Sequence, residues 1–364
     1  MNPNAAICRC VALAGPASIL LPSGDDGLGV QMPSDRLTAS KKAIRGISIG
    51  GMMEMMMHGN AAMVETGMAD QAKAGGSGLQ IVPLTGCLGA EIRNVDLATL
   101  DEAGWKAVYD AWVKYLVIFI PNQGHLTPDD HLAIGAHFGR WDEEVSQGST
   151  ADVLDKYSQI KVLHNEGVRA DRWHADTTGS ENPPRATVFR LIEAPAFRGD
   201  TIWSNQYAAY ESLSAPMRNL LDGLTAFHQS NVKKGLEAVH PVVRTNPETG
   251  QRYLFVNRLV TRHIVEMSPS ESEALLRYLF DWQEQVRLQV RHTWSPGDVA
   301  IWDNCATLHH AVRDYLEPRV AHRLMIVGDH RYDKPDRWAP FESNEAAFLN
   351  PNLYDGAALA ALTK

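Results

Sequence analysis

Short apolar runs separated by turn-forming residues recur along most of the chain beyond residue 78. From about residue 161 the predicted strands are 187–192, 201–204, 252–256, 290–294, 298–302 and 322–327. Several of these runs are bounded by Gly-Asp, Asn-Pro or Pro-Gly pairs, which are typical of turns. Many short strands with few helices between them predict a mainly β domain with flanking helices, closed or sandwiched as in a jelly roll.

The first part of this region mixes strands with helices. Residues 79–84 and 91–97 predict short strands, and the motif Thr99-Leu100-Asp101-Glu102 predicts a capping box that opens a helix ending near Tyr115. The apolar run 116–120 stops at a proline, as a buried strand would.

Three later helices begin with a proline in their first turn. They are opened by Thr127-Pro128, by Ser214-Ala215-Pro216 and by Ser268-Pro269, and the last of them is predicted to run to about Gln289. The segment Asn246-Pro247-Glu248-Thr249-Gly250 predicts a hairpin tip.

Residues 1–77 differ in composition from the rest. Gly, Ala, Ser and Met dominate there, residues 52–57 include five methionines, and no hydrophobic period is sustained. We interpret this stretch as a low-complexity, disordered extension; a transit peptide and a start codon placed too far upstream are the alternatives. The remainder is predicted to form one domain, 78–340, followed by a C-terminal tail, 341–364.

Composition narrows the class of protein and its partners. The 364 residues carry a net charge of -9, which disfavours a nucleic-acid partner because such proteins usually present a basic face. The four cysteines follow no zinc-site or disulfide spacing, so we expect a reducing compartment and predict a cytoplasmic protein. The apolar run 10–22 is too short to span a bilayer, so no membrane association is expected. A homo-oligomer is compatible with the sequence.

The tripeptide His174-Ala175-Asp176 is the first candidate for chemistry. In an extended segment, residues i and i+2 point to the same face, so an imidazole and a carboxylate lie side by side. A further imidazole, from His309 or from the adjacent His310, completes a 2-His-1-carboxylate set. Such a set binds one face of Fe(II) and leaves positions open for an oxidant and a co-substrate.

Two arginines follow this second histidine. Arg319 and Arg323 are four residues apart in a run that predicts a strand, so both side chains can enter one cavity. Arginines that point into a barrel are costly unless anions meet them. A dicarboxylate co-substrate and an anionic main substrate would supply those anions by bidentate pairing.

Several motifs together resemble the taurine dioxygenase/TfdA-like family of Fe(II)- and 2-oxoglutarate-dependent dioxygenases, over about residues 79–335. The matching motifs are Trp173-His174-Ala175-Asp176, Gly199-Asp200-Thr201, His240-Pro241-Val242-Val243-Arg244-Thr245, Phe255-Val256-Asn257, Trp302-Asp303-Asn304 with His309, and His322-Arg323. The resemblance implies a double-stranded β-helix, the cupin-like form of the jelly roll.

The resemblance also implies roles for individual residues. It makes His174, Asp176 and His309 the iron ligands and favours His309 over His310. It assigns Thr201 and Arg319 to the distal carboxylate of 2-oxoglutarate, and Arg323 to the acidic group of the substrate.

Two further residues are substrate candidates, and the chain departs from the family at three places. His164 is either a polar anchor of the substrate or an ordinary loop histidine. Val260 stands where taurine dioxygenases carry an aromatic residue, which puts taurine itself in doubt. Cys305 replaces a frequent arginine, and the loop between His309 and Arg319 is one residue shorter than in taurine dioxygenases.

The expected function is hydroxylation of a small anionic substrate of the alkylsulfonate, alkyl sulfate or aryloxyalkanoate type. The implied cofactors are Fe(II), 2-oxoglutarate and O2, with 2-oxoglutarate converted to succinate and CO2. A non-catalytic β-barrel binding protein and a metal-dependent hydrolase are the alternatives, although the chain has no HExxH motif of the kind that hydrolases use.

Overall fold

Two β-sheets packed face to face form the centre of the computed structural model. The structure describes residues 78–141, 151–164, 171–230, 235–328 and 337–342, all within one unit that spans Asp70–Lys364. The predicted extension 1–77 and the part of the predicted tail beyond residue 342 lie outside the described residues. The domain boundaries therefore stay predictions.

Strands outnumber helices among the described residues, as predicted. The strands are β1 (Gln80–Pro83), β2 (Ala90–Arg93), β3 (Val117–Ile120), β4 (Asp152–Leu154), β5 (Tyr157–His164), β6 (Pro184–Glu193), β7 (Thr201–Asn205), β8 (Thr225–Gln229), β9 (Glu237–Pro241), β10 (Val243–Thr245), β11 (Arg252–Leu254), β12 (Thr261–Ile264), β13 (Gln289–His292), β14 (Val299–Asp303), β15 (Thr307–Ala311) and β16 (Val320–Val327). The helices are α1 (Glu102–Tyr115), α2 (Pro128–Ala136), α3 (Gln206–Glu211), α4 (Ala215–Leu221) and α5 (Pro269–Gln283), with a 3₁₀ turn at Val286–Leu288.

The sheet topology is that of a jelly roll. The large sheet has the order β1-β2-β3-β14-β6-β16-β5-β4, and a small sheet has the order β13-β7-β15. A backbone bridge between His174 and His309 adds the segment before β6 to the edge of the small sheet. Along the chain the strands alternate between the two sheets: β5 and β6 flank the His174 segment, and β14 and β16 flank β15. This arrangement confirms the predicted double-stranded β-helix.

Aromatic side chains fill the space between the sheets. Trp203 on the small sheet lies 5.7 Å from Trp302 on the large one, measured between ring centroids, and both are buried. Phe119 on β3 packs edge-on against Trp203 at 5.3 Å. The inner faces of the two sheets thus share one core, and the opening at one end of that core is where the candidate site lies.

Helices α1 and α2 cover the outer face of the large sheet. Val108 and Trp112 of α1 and Ile134 of α2 are buried against the outward side chains of the strands, among them Val188 and Leu324. A second layer, α3 to α5 with β8 to β12, is inserted between β7 and β13 and has its own apolar core.

Two predictions about helix ends differ from the structure in detail, and the predicted strand 91–97 ends early, at Arg93. Helix α1 begins where predicted, but its N-cap is Asp101, whose side chain accepts from the Gly104 backbone N–H (2.8 Å), and not Thr99. Helix α5 ends at Gln283, before the predicted Gln289, because the chain passes through the 3₁₀ turn directly into β13. The predicted helix start at Thr127-Pro128 and the hairpin tip at 246–250 are confirmed, and Thr127 also forms a capping box with Asp130 that the sequence analysis did not predict.

No helix of the described segments is long and apolar enough to cross a bilayer. The ordered contacts reach at least to Phe341, whose backbone N–H donates to the Val265 carbonyl at 2.9 Å.

Candidate metal centre and substrate cavity

The backbone holds His174 and His309 side by side. Each residue donates its N–H to the carbonyl of the other, at 3.0 Å and 2.7 Å, as in a hydrogen-bonded pair of an antiparallel ladder. Residues paired in this way project their side chains to the same face, and the two imidazole centroids lie 4.1 Å apart. Residues 135 positions apart in sequence are thereby brought together by strand pairing.

Asp176 completes the group from two residues further along the first segment. Its Oδ1 lies 3.8 Å from His174 Nε2 and 3.9 Å from His309 Nε2. Asn304 fixes the backbone here: its side-chain oxygen accepts from the Asp176 N–H (2.8 Å) and its amide donates to the Asp176 carbonyl (3.0 Å) and the Pro184 carbonyl (3.0 Å). The turn after β14 therefore sets the position of the carboxylate.

The three side chains suit a divalent metal ion. One ligand atom from each of His174, Asp176 and His309 lies within 4.8 Å of the others, and all three residues are buried. His174 donates its Nδ1–H to the Arg172 carbonyl (2.7 Å), which leaves Nε2 with its lone pair facing the cluster. Asp176 Oδ2 is buried and has no hydrogen-bond partner among the described residues. Two imidazoles and a carboxylate that keeps one oxygen without a partner are the donor set that Fe(II) sites use.

The ionisation states agree with ligation. Burial lowers the pKa of His174 and lowers that of His309 further, so both imidazoles are neutral near pH 7. Burial alone would raise the pKa of Asp176, but the adjacent Arg323 guanidinium is the largest opposing influence, and the pKa lies below its ordinary value. Neutral imidazoles and an ionised carboxylate are the forms that bind metal.

The cluster lies at the bottom of a cavity between the sheets. The cavity encloses about 770 Å³ of empty space, including its open mouth. Its described lining combines the metal cluster with aromatic walls and basic groups: Leu163, His164, Asp171, His174, Asp176, Phe189, Thr201, Trp203, Trp294, Trp302, His309, Ala311, Arg313, Tyr315, Arg319 and Arg323.

Arg319 and Thr201 lie together on one side of this cavity. Arg319 is buried one residue before β16, with its guanidinium carbon 5.6 Å from the Phe189 ring centre and 6.0 Å from that of Trp294. Its Nε has no hydrogen-bond partner among the described residues, and burial lowers its pKa. Trp294 Nε1 donates to Thr201 Oγ1 (3.0 Å), so the threonine hydroxyl keeps its own proton for another acceptor. A buried cation beside an available hydroxyl is a site for a carboxylate.

Arg323 lies on the same face of β16 but contacts the metal cluster. The strand alternation puts Arg319, Ala321 and Arg323 on the inner face, as the spacing predicted, and both arginines line the cavity. Arg323 Nη1 donates to Asp176 Oδ1 at 2.9 Å, and its side chain is 14% exposed. The sequence did not predict this contact with a candidate ligand.

The remaining predicted residues fall in different places. His164 ends β5 and lines the cavity. His310 turns to the other side of β15 and packs against Trp173, with ring centroids 5.5 Å apart, whereas His309 joins the cluster. Val260 is half-buried in the turn before β12 and is not among the described residues that line this cavity. Its predicted role as a substrate contact stays a prediction.

Sequence reasoning missed the residues that support the site. The sequence motif contains Asp303 and Asn304 but predicted no role for either. In the structure, Asp303 Oδ1 accepts from the backbone N–H groups of Cys305 and Ala306 (both 2.8 Å) and shapes the turn. Burial raises the pKa of Asp303 to about 6. The sequence signal for this turn was the Asp-Asn pair at the end of an apolar strand, because such side chains often accept hydrogen bonds from the backbone of the turn they stand in. Cys305 is not among the described residues that line the cavity, and its thiol donates to the Pro184 carbonyl.

Comparison with known proteins decides the family. The model of the taurine catabolism dioxygenase TauD, TfdA family matches residues 80–327. The chain belongs to the TauD/TfdA family. It is accordingly a 2-oxoglutarate-dependent dioxygenase, so the predicted resemblance and enzyme class are confirmed, and family membership disfavours the binding protein and the hydrolase.

Individual TauD/TfdA proteins agree with this assignment. The chain is 37% identical over 276 residues to an alpha-ketoglutarate-dependent sulfate ester dioxygenase of Pseudomonas putida, covering 69% of this chain and 90% of the relative. It is 31% identical to an (S)-phenoxypropionate/alpha-ketoglutarate-dioxygenase of Sphingobium herbicidovorans, covering 68% and 95%. The crystal structure of a taurine dioxygenase from Burkholderia xenovorans superposes with a TM-score of 0.64 at 35% identity, covering 74% of this chain and 96% of that one.

Proposed function

We propose that this enzyme binds Fe(II) through His174, Asp176 and His309 and uses 2-oxoglutarate and O2 to hydroxylate a small anionic substrate. The observation that carries the proposal is that one cavity holds a buried two-histidine, one-carboxylate cluster and two arginines. The cluster accounts for a metal, and each arginine accounts for an anion.

The co-substrate would bind on the Arg319 side of the cavity. The guanidinium would pair with the distal carboxylate of 2-oxoglutarate, and the Thr201 hydroxyl would donate its proton to the same group. Phe189 and Trp294 wall this part of the cavity and exclude water around the buried charge. Fixing one end of the co-substrate gives it a single orientation toward the metal cluster.

The substrate would enter on the Arg323 side, where its acidic group meets the guanidinium. That contact sets the distance between the anion and the metal cluster, and therefore which carbon lies closest to it. When bound, iron and 2-oxoglutarate supply the oxidation: CO2 is released, one atom of O2 enters succinate, and the other enters a substrate C–H bond.

The substrate class follows from the anion site together with the relatives. The relatives are named for sulfate esters and phenoxypropionate, which are small organic anions. We propose an alkyl sulfate, an alkylsulfonate or an aryloxyalkanoate. Hydroxylation at the carbon attached to the sulfate, sulfonate or ether group gives a product that separates into a carbonyl compound and the released group.

The test begins without oxygen. Fe(II) and 2-oxoglutarate added anaerobically to the purified protein should produce a visible charge-transfer band, and a small anion should then drive succinate formation once air is admitted. The three substrate types are compared for succinate yield. Product formed without O2 or 2-oxoglutarate would instead indicate a hydrolase.

The matched variant is Asp176→Ala, which removes the anionic ligand. We expect it to lose both the band and substrate-dependent succinate formation. Succinate formation at the parental rate in this variant would contradict the ligand assignment.

The compartment is also a proposal. The two cysteines in the described part of the chain, Cys87 and Cys305, are both free thiols. Free thiols fit a reducing environment, which supports a cytoplasmic location.

A further inference from the structure

The residue that follows Asp176 has a strained backbone. Thr177 has a φ of 54°, in the left-handed region, and its side chain is half-buried. A β-branched residue in this region is a genuine outlier, because its Cβ crowds the neighbouring carbonyl oxygen. Such a conformation persists only where the surrounding structure holds it, and it is frequent at functional sites. The Asp176 carboxylate therefore stands beside a turn that would relax if its neighbours released it.

The side chain of Asn304 holds the upstream side of this turn. It accepts from the Asp176 N–H at 2.8 Å and donates to the Asp176 carbonyl at 3.0 Å. That carbonyl belongs to the peptide group that joins Asp176 to Thr177, so the peptide cannot rotate without losing the second hydrogen bond.

The inserted layer of β8 to β12 holds the downstream side. Thr178 is fully buried, and its hydroxyl accepts from Asn257 Nδ2 (3.1 Å) and is paired with His228 Nδ1 (3.0 Å). His240 Nε2 donates to the Thr178 carbonyl (2.9 Å) and to the Ser180 carbonyl (3.0 Å). Because both partners are carbonyl oxygens, this ring nitrogen must carry the proton. Three side chains of the inserted layer thus fix one residue of the metal-binding segment.

The next residue packs directly against the backbone of the same layer. A Cβ at Gly179 would lie 2.8 Å from the Leu236 carbonyl oxygen and 3.2 Å from the Ser230 nitrogen. The segment therefore has no room to move further toward the inserted layer. Its strained residue is held between the turn after β14 on one side and the inserted layer on the other.

We infer that Thr178 is a positioning residue of the metal centre. Its anchors in the inserted layer keep Thr177 in the left-handed region, and they thereby keep the Asp176 carboxylate turned toward the two histidines. The inference rests on the proposed function, because it concerns the same metal site. It gives the inserted layer a role at the metal centre, although none of its described residues lines the cavity.

The experiment measures Fe(II) affinity separately from stability. Fe(II) is titrated anaerobically into the metal-free full chain and followed by quenching of tryptophan fluorescence, since the Trp302 and His309 ring centroids are 5.1 Å apart. Urea denaturation of the metal-free protein gives the free energy of unfolding. In Thr178→Val, which removes the hydroxyl and keeps the shape, we expect the Fe(II) dissociation constant to rise about 10-fold or more, as when a group that orients a ligand is lost. Thr178→Ser keeps the hydroxyl and should bind Fe(II) as the parent does.

The control for a merely structural effect is Thr225→Val. Thr225 is also buried in the inserted layer, and its hydroxyl donates to Glu266 and not to the metal-binding segment. We expect this variant to lose stability, as Thr178→Val does, and to keep the parental affinity for Fe(II). Equal losses of Fe(II) affinity in the two valine variants, or no loss in Thr178→Val, overturn the inference.

A second variant tests the strain itself. Asparagine adopts the left-handed region more readily than threonine, so Thr177→Asn should hold the turn with less help from its neighbours. Combined with Thr178→Val, it should recover part of the lost Fe(II) affinity, and the absence of any recovery also overturns the inference.

The variant Asp176→Ala separates this inference from the proposed function. If the parent and Asp176→Ala bind Fe(II) equally well, the proposed metal site fails. If Asp176→Ala loses Fe(II) binding while Thr178→Val matches the parent, this inference alone fails.

Discussion

At the scale of residues, the metal cluster depends on a few contacts that join distant parts of the chain. His174 and His309 are fixed by mutual backbone hydrogen bonds, and Asp176 is fixed by the amide of Asn304. The candidate ligands were identifiable from the sequence because metal ligation demands particular side chains. Asn304 was not identifiable in this way, because a side-chain amide that holds a backbone segment in place has no characteristic sequence pattern.

Replacing Asn304 with alanine should weaken metal binding without removing a ligand. The variant loses all three hydrogen bonds that the side chain makes to the Asp176 segment and to Pro184. Loss of a group that orients a ligand typically costs roughly 10- to 100-fold in metal affinity. Titration with Fe(II) under anaerobic conditions measures the change. The exposed Asn219→Ala is the control, and unchanged affinity in Asn304→Ala would show that Asp176 holds its position unaided.

Replacing Arg319 with methionine should act on 2-oxoglutarate and not on the metal. Truncating one partner of a buried charge pair costs about 2–5 kcal/mol, so we expect the dissociation constant of 2-oxoglutarate to rise about 30-fold or more. The charge-transfer band, titrated with 2-oxoglutarate, reports this directly. Arg313→Met removes a charge from the mouth of the same cavity and should leave 2-oxoglutarate affinity nearly unchanged. A similar loss in both variants would mean that the field of the cavity, and not a specific pair, holds the co-substrate.

At the scale of elements, the sequence predicts where a helix begins more reliably than it predicts which residue caps that helix. The sequence Thr99-Leu100-Asp101-Glu102 offers two candidate caps two residues apart, and the structure uses Asp101. Local propensity separates the two only slightly, because both side chains can cap a helix and aspartate ranks only a little above threonine at this position. The choice depends on how the chain leaves β2 and meets the outer face of the sheet.

Two alanine substitutions distinguish the caps. Asp101→Ala should lower the free energy of unfolding by about 1 kcal/mol, because it leaves the Gly104 N–H without its acceptor. Thr99→Ala should change it by less than about 0.5 kcal/mol, as at an ordinary surface position. Urea denaturation followed by circular dichroism measures both. If Thr99→Ala destabilises the protein more than Asp101→Ala does, then Thr99 is the N-cap, as the sequence predicted.

At the scale of the whole molecule, burial of ionisable side chains between sheets and helices links stability to pH. His131 on α2 is fully buried, donates Nε2–H to the Val188 carbonyl (3.1 Å), and has its pKa lowered by burial to about 3. Between that value and the ordinary value of 6.5, the unfolded chain binds a proton at this histidine and the folded protein does not. Stability contributed by the neutral histidine is therefore lost as the pH falls through this range. Asp303, with a raised pKa of about 6, acts in the opposite direction above pH 3.8.

The difference between parent and variant isolates the histidine. In His131→Gln, the free energy of unfolding should depend less steeply on pH between about 3.5 and 6, by about 1.4 kcal/mol per pH unit. The measurement is urea denaturation across this range. His263→Gln, at an exposed position, should leave the slope as it is in the parent. A variant slope equal to the parental slope would show that His131 takes no part in acid unfolding.

The sequence by itself determined the fold class and the family and indicated the candidate metal ligands, because short apolar runs and ligand side chains are local properties. It placed both arginines in the cavity through the two-residue alternation of strands. Only the tertiary structure decided which charged residues are neighbours. Arg323 donates to Asp176 across 147 residues, and Lys161 lies opposite Arg323 in the register of β5 and β16. Register depends on how whole sheets pack, so no segment of the sequence contains it.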